Sequence, residues 1–505
     1  MVLSCVRACY NAVTMKRIWT HRFRRTTLLL VLYIGILTGV GLAHTGRVLP
    51  LLCSWFAGAF ALLSWRRHNL LTLCACLLLG TGCGWWRGAV YMQRLSVYDD
   101  WQYGEVTITA RALDDALYGK TKQLAFDANA VVTADGEALP GKIQLSGFGV
   151  NAVFQGDEVE ATGKLYPGYG AYQGRMSFAK LTVTAHHPTI VSETRQKFTA
   201  GMQTALPEPL APFAMGLLVG QRANLPDNIK QDLLMVGLTH IIAVSGYNLT
   251  IILHASKRLF QKQSKRISTF LALALVGVFL LLAGASASIV RAAIVSVLSI
   301  FAGYHGRAFK PLNLICLAAA VTAWANPVYV WSDLSWYLSF LAFFGVMIIS
   351  PLIQARLPGR WHRSIVGAVA LESICAEVMS VPFILYIFGQ MSLIGLPANV
   401  LVVGLIPLAM LLSLIAGLAG MLAGSFAGWL AWPAVWLLDY MLDVAHLLAG
   451  LPHVFVQNRS LSLAAMLGLY GLIGGIVTVL RHKTKAPKTA IITDRNQQVL
   501  EGAAT

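Results

Sequence analysis

Apolar runs of about 20 residues recur along this chain, and they limit its possible folds more than any other feature. A helix needs roughly 20 apolar residues to cross the hydrocarbon core of a bilayer. Hydrophobic residues make up 56% of the 505 residues, charged residues only 12%, and the mean hydropathy is +0.64. The composition excludes a soluble domain and predicts a polytopic α-helical membrane protein.

The apolar runs fall into two blocks and predict about 12 spans. A short apolar helix near 209–220 opens the second block. We place the spans at 27–44, 48–64 and 69–91, and then at 236–256, 267–289, 290–305, 311–331, 334–353, 364–388, 393–422, 425–449 and 462–480.

Residues 93–200 carry a different pattern, in which polar and apolar residues alternate between Gly, Asp and Pro turns. Five strand-like segments in this range predict a small closed β-barrel, with the OB-fold as the first candidate. They are "EVTITARAL", "KQLAFDANAVV", "GKIQLSGFG", "GDEVEATGKLY" and "RMSFAKLTVTA". Residues 96–190 hold 7 Lys/Arg against 11 Asp/Glu, so we expect a structural or docking role rather than phosphate binding.

The net charge of +17 is best explained by topology. Cytoplasmic loops of membrane proteins collect Lys and Arg. When the spans alternate across the membrane, all basic clusters fall on one side: 22–25, 65–69, 257–266, 305–310, 356–363 and 481–488. We therefore predict a multi-pass protein of the cytoplasmic (inner) membrane with both termini cytoplasmic and the β domain outside.

The apolar runs and the strand-like segment between them divide the chain into four parts. Residues 1–92 are a basic tail with three spans, 93–200 are the external OB-like domain, 201–480 are a helical membrane domain, and 481–505 are a polar cytoplasmic tail.

The sequence lacks the motifs of phosphate-binding, metal-binding and nucleophilic sites. The sequence has no GxxxxGK[ST] loop, no HExxH, no CxxC pair and no His/Asp cluster with metal spacing. Ser245 lacks the first glycine of a nucleophile elbow. We expect no enzyme activity, no metal site and no cofactor.

Three charged residues stand out within the apolar runs. Arg291 follows "GASASIV" between two spans, where it either snorkels to the outer headgroups or faces a path through the protein. Glu372 and Glu377 share one span, and their carboxylates should face the bundle interior or a wet cavity as a possible proton or ion site.

The apolar run 236–256 is interrupted by Ser245, Gly246 and Asn248, with His240 five residues before the serine. One interpretation is a broken helix whose open backbone faces a path. The other is an ordinary helix–helix contact made by small residues. On physical grounds the two are equally supported.

Glycine spacing predicts two helix-packing faces. One is Gly420, Gly424 and Gly428, and the other is Gly471 and Gly475.

Four segments carry a resemblance to a known family. The run "GLLVGQRANLPDNIKQDLLMVGLTHIIAVSGYNLTIIL" (216–253) resembles the signature of the ComEC competence family, membrane proteins associated with DNA uptake. Further matches follow in order: "GASASIVRAAIVSVL" (284–298), "ANPVYVWSDLSWYLSFLAFFGV" (325–346) and "AEVMSVPFILYIFGQMSLIGLPANVLVVGLIPL" (376–408).

The resemblance implies a channel that passes single-stranded DNA inward during natural transformation, together with other competence proteins. We expect His240, Ser245, Gly246, Asn248 and Arg291 to line the DNA path, with two weaker candidates, Ser339 and Asn399. The family commonly has a histidine at the position of Asn248. Many members also carry a C-terminal metallo-β-lactamase-like domain that this sequence lacks, so we expect a separate nuclease.

Two other functions fit the same residues. One is a proton-coupled secondary transporter of a small anion, driven by Glu372 or Glu377. The other is a structural scaffold of an uptake machine. The sequence does not indicate the oligomeric state.

The predicted topology can be measured directly. Reporter fusions at residues 120 and 455 should read as extracytoplasmic, and those at 67, 262, 310, 360 and 490 as cytoplasmic, because the basic loops stay inside. A cytoplasmic signal from residue 120 would mean that the predicted membrane topology is inverted.

Overall fold

The structure is a computed structural model. It describes residues 22–45, 58, 69–118, 123–187, 190–220, 225–242, 263–283, 287–306, 310–357 and 365–483.

The helices that precede and follow the β domain, up to residue 325, are α1 to α8. They are Arg25–Ala43 (α1), Leu70–Leu95 (α2), Ile190–Ala205 (α3), Leu210–Val219 (α4), Asp227–Met235 (α5), Lys265–Ala283 (α6), Ala287–Tyr304 (α7) and Pro311–Ala325 (α8).

The remaining helices are α9 to α16. They are Val328–Ser332 (α9), Leu334–Phe344 (α10), Ser350–Gln354 (α11), Ile365–Phe388 (α12), Gly395–Val402 (α13), Ile406–Ala423 (α14), Ala427–Ala449 (α15) and Leu463–Lys483 (α16). A π-helical segment, Gly345–Ile349, joins α10 to α11. A 3₁₀ turn at Val403–Leu405 separates α13 from α14.

Helices α1 and α2 pack backbone to backbone, and glycines make this approach possible. A Cβ added at Gly39 would lie 2.1 Å from the carbonyl oxygen of Thr81, and one at Gly84 would lie 2.1 Å from that of Ile36. No side chain fits at these distances. The pair therefore resembles the small-residue contacts typical of membrane helices.

The glycine faces predicted from spacing are only partly correct. Gly420 does pack closely, since a Cβ there would lie 1.8 Å from the carbonyl oxygen of Gly201 on α3. In the described part of the chain, no atom lies within 4 Å of a Cβ placed at Gly424, Gly428, Gly471 or Gly475. Spacing alone could not separate glycines that meet a neighbour from glycines on an outer face.

The β domain contains the five predicted strands. They are β1 (Glu105–Ala112), β3 (Leu124–Thr133), β5 (Ile143–Phe148), β6 (Glu158–Pro167) and β7 (Gly174–Ala185), and two short strands, β2 (Leu117–Tyr118) and β4 (Ala138–Leu139), pair with β3. The order of the long strands is β1-β6-β7-β5-β3, and β3 also pairs with β1. Because β3 pairs with β1, the series of paired strands begins and ends at the same strand. Only β5 and β7 are parallel.

Alternate residues of these strands form the core of the β domain, as the sequence pattern predicts. On β1 the buried residues are Val106, Ile108, Ala110 and Ala112. Ile143 and Leu145 on β5 are fully buried as well.

Two contacts attach the β domain to the helices. On α3, the buried Arg195 lies 3.9 Å from the Asp114 carboxylate and donates to Gln155 at 3.4 Å. The second contact comes from the β6–β7 loop, where the carbonyl of Gly170 accepts a 2.6 Å hydrogen bond from the Ser332 hydroxyl at the end of α9.

Helix α4 is the centre of the largest apolar core. Nine of its ten residues are buried, including Phe213 and Leu217. It contacts α3, α6, α14 and α15. Because it is surrounded by other helices, it is apolar on all faces although it is too short to span a bilayer.

Six helical stretches of the described chain are long and apolar enough to cross a membrane. They are Arg25–Ala43, Leu70–Tyr98, Leu334–Gln354, Gly367–Phe388, Gly395–Ala423 and Leu463–Arg481. They coincide with six of the spans predicted from the sequence. Of the other six predicted spans, 48–64 and 236–256 lie largely outside the described residues, and 267–289, 290–305, 311–331 and 425–449 are not among these stretches. The total of about 12 therefore stays a prediction.

Basic helix ends meet around one cavity of about 270 Å³. Lys310 donates to the Thr26 hydroxyl at 3.0 Å, which joins the start of α8 to the start of α1. Arg481, at the end of α16, lines the same cavity. The starts of α1 and α8 and the end of α16 therefore meet at one end of the bundle.

The α1–α2 contact predicts unequal effects of two neighbouring glycines. Gly39→Ala should destabilise the protein by about 1–3 kcal/mol, because the new methyl group has no room. Gly41→Ala is the matched control, since its Cβ would meet only a side-chain atom of Val330 at 4.0 Å. Thermal unfolding in detergent measures the difference; equal melting temperatures for the two variants would contradict the packing.

Candidate functional site

Arg291 lies inside the helical bundle, on the first turns of α7. Its side chain is only 4% exposed, so it packs among the helices. The guanidinium carbon lies 4.8 Å from the ring centre of Phe340 on α10, which is a cation–π distance. Two of the four family-like segments, 284–298 and 325–346, thus meet at this arginine.

The negative charge of Asp333 acts electrostatically on Arg291. It is 6% exposed and caps α10 by accepting hydrogen bonds from the backbone N–H groups of Ser335 at 2.9 Å and Trp336 at 3.3 Å. Burying an arginine requires such a partner, because an isolated charge is costly away from water. The capping bonds hold the carboxylate in place for this role.

Aromatic residues next to the arginine are themselves anchored. The indole N–H of Trp336 donates to the Thr322 hydroxyl on α8 at 3.0 Å, and its ring lies 4.7 Å from that of Phe340. The Thr322 hydroxyl in turn reaches the Ala318 carbonyl at 2.9 Å. The rings of Trp336 and Phe340 beside Arg291 are therefore held in place by α8 as well as by their own helix, α10.

Ser339, a weaker path candidate, precedes Phe340 on α10 and is partly buried. It lies on the helix that also carries Trp336 and Phe340.

A second polar cluster joins α12 to α13. The amide N–H of Asn399 donates to Oε1 of Glu377 at 2.9 Å. Asn399 is 6% exposed and Glu377 is partly buried. Two residues that sequence analysis assigned to different roles, a DNA path and an ion site, are therefore direct partners.

The turn that carries His240 packs against this second cluster. Gly237, with φ of 75°, sits where a Cβ would lie 3.2 Å from Cβ of Ser392 and 3.5 Å from Cα of Gly395. The left-handed backbone and the close approach both require glycine. His240 itself is exposed, and its Nδ1 lies 3.1 Å from the Gly237 carbonyl oxygen.

The other site predictions fall elsewhere. Glu372 lies on α12 and is partly buried, but it is five residues before Glu377 and therefore on a different face of the helix. Ser245, Gly246 and Asn248 lie outside the described residues. Their roles stay predictions.

Among the described residues, no group of three or more His, Cys, Asp or Glu lies together.

Sequence reasoning missed Asp333 and Phe340 as partners of Arg291. Asp333 did carry a signal, since an aspartate directly before an apolar run is a typical N-cap. No sequence signal pairs Phe340 with Arg291, because the contact joins helices distant in the chain.

Comparison with known proteins bears on this arrangement. The family model described as "Competence protein" matches residues 217–483, which include both polar clusters. The chain is also 25% identical over 231 residues to ComE operon protein 3 of Bacillus subtilis (strain 168), a match that covers 45% of this chain and 29% of that protein's length. No solved structure matches.

The family match extends over more than half of the sequence, and its range contains His240, Arg291, Asp333, Glu377 and Asn399. The protein belongs to the competence protein family.

Proposed function

We propose that this protein is a channel of the cytoplasmic membrane that admits one strand of DNA during natural transformation. The family suggests DNA uptake. The strand-specific channel is our proposal, and the observation that carries it is the buried Arg291 with its Asp333 and Phe340 partners.

Arginine is well suited to meet the backbone of a passing strand. Its planar guanidinium donates two parallel hydrogen bonds to a phosphate, and every nucleotide presents the same group whatever its base. In the structure this guanidinium is balanced by the Asp333 carboxylate. A phosphate that enters would compete with that carboxylate for the arginine charge, so each phosphate of the strand would be held briefly before the next one replaces it.

The proposal includes the finer architecture. We infer about 12 spans, with both termini in the cytoplasm, and four parts bounded as the sequence indicates. The five-strand ring with its one parallel pair supports an OB-like barrel. Its acidic balance supports a docking role for the barrel, outside the membrane, toward other proteins of the uptake machinery.

No covalent step on DNA is part of this function. A separate nuclease would then remove the other strand. The purified chain should therefore leave DNA intact in the presence of any divalent metal, and cleavage that follows the protein through purification would contradict this.

Substitution of Arg291 tests the channel. Arg291→Ala should lower the amount of labelled DNA that enters a deletion strain by about 10- to 100-fold, which corresponds to the loss of one charge-assisted hydrogen bond. Arg291→Lys should retain part of the uptake, because a lysine keeps the charge without the planar fork. Immunoblots of membranes measure the protein level in parallel.

The matched control is Arg87→Ala. Arg87 is also an arginine of an apolar helix, but its guanidinium donates to the backbone carbonyl of Ala325 at 3.1 Å. Normal uptake by Arg291→Ala at normal protein level would disprove the path assignment. A parallel fall in protein level and uptake would instead indicate a structural scaffold.

A proton-coupled transporter of a small anion is the second candidate function. The Glu377–Asn399 pair favours it, since an intramembrane carboxylate with a hydrogen-bond partner is typical of transport sites. Entry of labelled DNA that depends on Arg291 but not on Glu377 would exclude it.

A further inference from the structure

Three buried oxygen atoms, on segments that pack around the Glu377–Asn399 pair, have no hydrogen-bond partner in the described chain. They are Oδ1 of Asn399, Oγ of Ser392 and Oγ1 of Thr239. An unsatisfied buried oxygen is costly, and native proteins rarely keep several together without a water or an ion. Their number points to a bound group.

Gly395, the first residue of α13, lies where these segments meet. The position that a Cβ of Gly395 would take lies 3.3 Å from Oε1 of Glu377, 3.8 Å from Cβ of Ser392 and 3.8 Å from the carbonyl oxygen of Val236. Three separate segments thus approach one point, and the glycine places no side chain between them.

Asn399 faces the same place. It follows Gly395 by one helical turn, and helical side chains lean toward the N-terminus of their helix. Its amide N–H is used by Glu377. The amide oxygen is the remaining atom, and it is enclosed with the rest of a side chain that is only 6% exposed. Thr239 lies two residues after Gly237, on the turn that contacts Ser392.

The chemistry of these atoms selects the ligand. A carboxylate, an amide oxygen, two hydroxyls and a backbone carbonyl are hard oxygen ligands, which suit alkali and alkaline-earth cations rather than transition metals. Glu377 is the one acidic side chain among them, so a single positive charge completes the site, whereas dedicated Ca²⁺ sites gather several carboxylates. Non-helical backbone beside a half-helix is also where transporters bind Na⁺.

We propose that Glu377, Asn399, Ser392 and Thr239 bind a monovalent metal cation of the size of sodium. The ion would tie α12 and α13 to the turn that carries His240. This inference goes beyond the DNA channel and does not depend on it, because the ion can bind whether or not DNA is the cargo.

Thermal unfolding of the purified full-length chain in detergent tests the site. Melting temperatures are compared in equal concentrations of sodium, potassium and choline chloride. Sodium should raise the melting temperature of the wild type by about 3–5 °C over choline, as expected when a ligand at well above its Kd binds only the folded state. Labelled sodium should bind at one ion per chain.

Two glutamate variants on the same helix provide the comparison. Glu377→Gln keeps the shape of the side chain but removes its charge, so the sodium shift should vanish. Glu372→Gln removes the same charge five residues earlier and should keep the full shift. If Glu377→Gln fails to fold, Ser392→Ala removes one ligand and should weaken sodium binding by about tenfold.

The alternatives give different results. An equal sodium shift in the wild type and in Glu377→Gln would overturn the proposal, as a general salt effect. No sodium shift, together with a melting temperature that depends on pH only while Glu377 is present, would also overturn it and identify a proton site. These results leave the DNA channel untested, since uptake is measured separately through Arg291.

Discussion

Every polar group inside a membrane must find its partner within the protein, because lipid offers none. The surroundings of Arg291 follow from this constraint. The guanidinium lies over the face of Phe340 and feels the charge of Asp333, which is held by the backbone of the helix it caps. Helices α7 and α10 therefore meet at a buried charge, and α8 fixes the neighbouring Trp336.

The two polar clusters differ in the groups that they bring together. The Arg291 cluster combines a charge, an aromatic ring and a helix cap. The Glu377 cluster joins a carboxylate to the Asn399 amide, and buried oxygen atoms of Asn399, Ser392 and Thr239 lack a hydrogen-bond partner in the described chain. The match to the competence family covers both.

Sequence patterns predicted the elements better than the contacts between them. Apolar run length located the six helical stretches long enough to cross a membrane, and period-two alternation located all five long strands, because both signals are local. The pairing of Glu377 with Asn399 could not be predicted, since it depends on how α12 meets α13. Glycine spacing failed at Gly424 and Gly475 for the same reason, whereas Gly39 lies in a contact that spacing did not single out.

The hydrogen bond between Ser332 and Gly170 joins the β domain to the residue directly before Asp333. A force on the β domain would act on this bond as well as on the Arg195 contacts. Through Ser332 it would reach the residue directly before the Asp333 carboxylate. A partner bound to the β domain would thus have a short mechanical linkage to the surroundings of Arg291.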